Sequence, residues 1–94
     1  MGAQGKAIVD FTSTPSMEAT VSVTGQTGIL ATSCAESWIM EATTSNNNAS
    51  NHRFGGVSFR FVCGIPVDGV GFTIYVITTA GAATGQFKIC WVWV

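Results

Sequence analysis

The sequence predicts an all-β chain, a small antiparallel β-sandwich or barrel of about six short strands in a single domain spanning residues 1–94. Three observations predict it. Apolar and polar side chains alternate in segment after segment, most strongly at Val57, Phe59, Phe61 and Cys63, at Phe72, Ile74 and Val76, and at Phe87, Ile89, Trp91 and Trp93. Clusters of Gly, Pro, Asn and Ser separate these segments at short intervals. Threonines fill polar positions of the alternation, as at Thr20, Thr24 and Thr73, and their branched Cβ suits a strand.

The first strand is expected over 5–11, with Ala7, Val9 and Phe11 on one face and Lys6, Ile8 and Asp10 on the other. Residues 12–16 form a turn, because Pro15 lacks a donor and restricts Thr14. Next, Ala19, Val21 and Val23 turn inward against Thr20, Ser22 and Thr24, and Gly25-Gln26-Thr27-Gly28 closes that strand. A short apolar patch, Ile29-Leu30-Ala31, leads to Cys34. Residues 35–42 fit two periods. As a strand, Trp38, Met40 and Ala42 share a face; as a helix, Ala35, Trp38, Ile39 and Ala42 make a stripe. Strand is preferred, since so short an isolated helix is marginal and the surroundings are β.

Residues 43–53 are the longest polar stretch and are expected to be a hydrated surface loop. A strand through Val57 to Cys63 follows, then a turn at 64–69. The strand through Phe72, Ile74 and Val76 also has Tyr75 and Ile77 on its other face, which predicts a central position. Ala80-Gly81-Ala82-Ala83 is read as a hairpin loop into the last strand, residues 85–94. There Phe87, Ile89, Trp91 and Trp93 can fill the core, while Cys90, Val92 and Val94 make the opposite face apolar too. Val92 and Val94 are therefore expected to be covered by a neighbouring strand or subunit. The candidate oligomer or partner interface is Trp91, Val92, Trp93, Val94 and Trp38.

Composition points to assembly. Apolar residues are 47% of the chain before its eleven glycines are counted, against about 45–50% with glycine included in an average domain. Charged residues are 10%, against about 25%. A chain of this length has a modest core, so the surplus apolar surface is expected in a subunit interface. Net charge is −1, and Lys6, Arg53, Arg60 and Lys88 are scattered, so no basic patch favours nucleic acid or an anionic membrane. The start, Met1 to Lys6, has neither the charged nor the apolar region of a signal peptide, which predicts synthesis in the cytoplasm. Cys34, Cys63 and Cys90 are odd in number and far apart, and are read as buried thiols with no disulfide or zinc role.

No chemistry stands out. His52 is expected to be solvated in the Asn-rich loop, and nothing in the spacing pairs it with a nucleophile. Asp10, Glu18, Glu36, Glu41 and Asp68 lie in different segments, so no carboxylate pair is singled out. Asn46, Asn47, Asn48 and Asn51 have no carboxylate beside them to make a calcium loop. Gly69-Val70-Gly71 lacks the rest of a dinucleotide fingerprint and is a turn. A glycan platform of Trp38, Trp91 and Trp93 is conceivable, but core or interface packing fits their placement better. The chain is expected to be no enzyme, with no catalytic residue, cofactor or metal.

Ala7-Ile8-Val9-Asp10-Phe11, Val21-Ser22-Val23-Thr24-Gly25-Gln26, Gly71-Phe72-Thr73-Ile74-Tyr75 and Gly85-Gln86-Phe87 with Trp91-Val92-Trp93 resemble short β-rich structural proteins encoded by tailed bacteriophages and prophages. The resemblance implies a virion component, most readily an oligomeric capsid decoration or minor capsid protein, a trimer being one form, that cements the major capsid or other virion proteins. A tail, neck or fibre subunit, or a small glycan-binding sandwich, is the alternative. The resemblance carries over no binding residue, and residues 46–56 lie outside it.

Overall fold

The computed structural model describes residues 2–94. Six strands and one helix follow in the order β1 (Ala3–Asp10), β2 (Glu18–Val23), β3 (Ala35–Ile39), α1 (Ala49–Ser58), β4 (Phe59–Cys63), β5 (Phe72–Thr78) and β6 (Gln86–Trp93). They form two three-stranded antiparallel sheets, β1-β6-β3 and β2-β5-β4, so the all-β sandwich expected from the alternation is the fold. Each sheet turns its apolar side chains toward the other. Val9, Phe11, Ile29, Ile74, Val76 and Ile89 are at most 1% exposed, and Phe87, Trp91 and Trp93 close the same core.

Both strands with two apolar faces are central, β5 between β2 and β4 and β6 between β1 and β3. They belong to different sheets, so residues 80–83 carry the chain across the sandwich and do not close a β-hairpin. The reason is geometric: each central strand already has two edge partners, which leaves no side free for the other. The Ser16–Ala83 bridge ties this crossing to the turn before β2.

Close packing explains two glycines. A Cβ on Gly5 would stand 2.6 Å from Cζ2 of Trp91, its partner across the ladder, so the indole lies over a position that only glycine leaves open. Ser37 flanks Trp91 on the other side, and its buried hydroxyl donates to the Cys90 carbonyl (2.8 Å). At Gly71, with φ +155°, a Cβ would collide with the Val23 carbonyl.

Four expectations need correction. Residues 49–53 are helical and not part of a loop, because the Asn48 side chain caps α1 by accepting the Asn51 N–H (2.9 Å). Val57 is not in a strand: it lies in α1 and is 84% exposed, its alternation with Phe59 arising by chance across a helix-to-strand junction. β3 stops at Ile39, so Met40 and Ala42 lie beyond it, and its inward positions are Ala35, Ser37 and Ile39. Of the thiols, Cys90 alone is fully buried; Cys63 is half-buried and Cys34 exposed at the start of β3.

Candidate interaction surface

The five side chains singled out for an interface divide between core and surface. Trp91 is 8% exposed and meets Phe72 edge-on at 5.9 Å; Trp93 is 4% exposed and donates its indole N–H to Gln26 Oε1 (2.9 Å). Both are consumed by the subunit's own core. Val92 is half-buried on the outer face, opposite Gln4 on one side and Glu36 on the other. Val94 is 72% exposed, although its main chain exchanges hydrogen bonds with Cys34 (2.9 and 3.1 Å). Trp38 is partly exposed and stands opposite Cys90, with Lys6 across from Cys90 on the far strand.

The outer face of sheet β1-β6-β3 is therefore a mixed surface. Ile8, Trp38 and Val92 are interleaved with Lys6, Lys88 and Glu36, and Met40 and Val94 lie just past the strand ends. Further apolar side chains are exposed elsewhere. Leu30, Val67 and Val70 cluster where Gly69 N–H bonds to the Ile29 carbonyl and the Ala31 N–H to Asp68. Phe54 and Val57 project from α1.

The polar stretch has an architectural role that its composition did not reveal. Even-numbered residues of β6 bond toward β3, but β3 has ended before it reaches Lys88 and Gln86. Side chains replace the missing strand. Asn46 Oδ1 accepts the Gln86 N–H (3.3 Å), and Thr44 Oγ1 (2.8 Å) and Asn47 Nδ2 (2.9 Å) donate to the Gln86 carbonyl. His52 Nε2 accepts the Lys88 N–H (3.0 Å). These backbone groups would otherwise be orphaned, and among the described residues no buried side-chain nitrogen or oxygen lacks a partner.

His52 is consequently not solvated but 1% exposed, its ring tilted against that of Phe87 at 5.2 Å. Its Nδ1 lies 3.0 Å from the Asn48 carbonyl, which can only accept, while Lys88 N–H can only donate. The ring is thus assigned as the neutral Nδ1–H tautomer with both nitrogens occupied. Among the described residues no nucleophile is hydrogen-bonded to it, and both ring nitrogens are engaged with main-chain groups.

Three of the five carboxylates serve local structure. Asp10 accepts the Thr12 N–H (2.7 Å), Asp68 the Ala31 N–H, and Glu41 pairs with Arg53 at the surface. Among the described residues no three His, Cys, Asp or Glu side chains gather as a metal site would require, and no helix is long and apolar enough to cross a membrane. A cavity of about 260 Å³ opens between α1 and the crossing at 80–83, beside Phe54, Phe59 and Phe87. Its two asparagines are already engaged, Asn51 with Asn47 and Asn47 with the Thr84 and Gln86 carbonyls. Comparison with family models, with curated proteins and with solved structures returned no match.

Proposed function

We propose that the chain is a non-enzymatic structural subunit of a tailed-phage virion, a homo-oligomeric decoration or minor capsid protein that cements its shell. One observation carries the reading: among the described residues fourteen large hydrophobic side chains are at least 36% exposed, on a protein only 10% charged. Scattered apolar residues are ordinary on a surface, but here little charge separates them. Covering such a surface against copies of itself and against shell subunits contributes about 25 cal/mol per Å² of apolar area before association costs. The resemblance of the strand segments to phage structural proteins supplies the setting, and the engagement of His52 and the asparagines in the fold accords with a role without chemistry.

The test is binding of the purified chain to shells of its own phage, with densitometry of whole virions. The proposal expects saturable binding and a copy number in proportion to the shell protein. A few copies per particle would indicate a tail, neck or fibre subunit instead, and failure to bind would remove the cementing role. The glycan-binding alternative loses support, since Trp91 and Trp93 are buried and leave Trp38 alone at the surface.

A further inference from the structure

Strand β1 is one edge of its sheet, and β3 is the other. Its odd-numbered residues bond to β6: the Phe11 N–H reaches the Gly85 carbonyl (2.9 Å) just past the strand, and the ladder continues in phase through Ala7 opposite Ile89. By the alternation of an antiparallel ladder, the main-chain N–H and C=O groups of Gln4, Lys6, Ile8 and Asp10 point away from the sheet. Among the described residues none of these groups has a main-chain or side-chain partner on that side. The four side chains share the outer face, and all are exposed.

An open edge of this length is a template for another strand. We propose that it receives β1 of a second copy, antiparallel, about a two-fold axis at Ile8, joining two three-stranded sheets into one of six. The inference rests on the assembly reading above and names the contact that makes it. Charge selects the register. Centring the pair on Lys6 would oppose two ammonium groups, and centring it on Ala7 would set Lys6 opposite Ile8 of the second copy. Centring it on Ile8 puts each Lys6 opposite Asp10 of the other copy, with the two half-exposed isoleucines in contact. The Asp10 carboxylate gives Oδ1 to the Thr12 N–H, which leaves Oδ2 for the ammonium. A lysine in an edge strand ordinarily guards against pairing. Here Lys6 rejects the other registers and favours one. In the other sheet the edge strand β2 presents Glu18, Thr20 and Ser22 on its outward positions and has no such self-complementary pair.

Sedimentation of the full chain tests this with three variants. Ile8→Pro removes an outward N–H without touching the bonds to β6, a position where an edge strand tolerates proline. Lys6→Glu and Asp10→Lys are each repulsive with themselves in this register and complementary to one another. The wild type is expected to dimerise and Ile8→Pro to sediment as a folded monomer. An equimolar mixture of the two charge variants is expected to associate about tenfold more tightly than either alone. If Ile8→Pro does not fold, the mixture decides by itself. A mixture no tighter than its components, or an Ile8→Pro chain that assembles like the wild type, overturns the pairing and leaves assembly by another surface standing. A wild type that is monomeric at every concentration overturns both.

Discussion

The main-chain N–H of Lys88 donates to the imidazole Nε2 of His52 (3.0 Å) at the point where the neighbouring strand has run out. A side chain there completes a β-ladder. His52→Ala removes that acceptor, opens a cavity beside Phe87 and strands a buried N–H, so stability is expected to fall by about 3 kcal/mol in urea unfolding. Asn47→Ala, which loses bonds to the Thr84 and Gln86 carbonyls, is expected to cost about 1–2 kcal/mol. Nitrogen chemical shifts of the ring would report the Nδ1–H tautomer; shifts of the Nε2–H tautomer would contradict the arrangement.

This part of the molecule was not legible in the sequence, for a definite reason. Asn46, Asn47 and His52 have the composition of a hydrated loop, and their role depends on β3 stopping at Ile39, which these residues themselves do not encode. The inward face of β6 was legible because Phe87, Ile89, Trp91 and Trp93 repeat with the strand's own period. Helix α1 was hidden for the opposite reason: with two glycines and no clear apolar stripe, Ala49–Ser58 carries little helical signal beyond the Asn48 cap. Of the candidate interface, Trp91 and Trp93 lie in the core, as the period of β6 allowed, while Trp38, Val92 and Val94 lie outside it.

Two adjacent glycines of α1 are expected to respond with opposite sign. A Cβ at Gly56 meets only Ile39 at an ordinary 3.7 Å, so Gly56→Ala should stabilise by about 0.5–1 kcal/mol through the unfolded chain's lost freedom. A Cβ at Gly55 would stand 2.9 Å from the Phe59 ring, itself wedged against Phe11 and Phe87, so Gly55→Ala should destabilise by about 1–2 kcal/mol. Thermal melts of the two variants check the pair.

Thiol labelling at pH 8 is expected in the order Cys34, Cys63, Cys90, following exposure. Burial, aided by the Glu36 charge, pushes the Cys63 thiol above its ordinary value of 9.0 and lowers its reactive thiolate fraction. Because the folded value is the higher one, this group's contribution to stability is fully present below about pH 9 and is lost as pH rises through the folded value. Mass spectrometry after timed alkylation gives the order; labelling of Cys90 before Cys34 would be inconsistent with the fold.

Removing residues 91–94 takes Trp91 and Trp93 out of the core and leaves Ala3, Gly5, Ala35 and Ser37 without ladder partners on both sides of β6. The truncated chain is expected to give no soluble folded protein. A cooperative unfolding transition in the truncated form would show that β6 is not the strand joining that sheet.

The claim on which the rest depends is that this sparsely charged, apolar surface exists to assemble. Sedimentation equilibrium of the full chain over rising concentration, at low and high salt, tests it most directly. The account predicts a discrete oligomer that persists at high salt, because apolar contact and main-chain pairing change little with ionic strength. A monomer at every concentration and salt would contradict it.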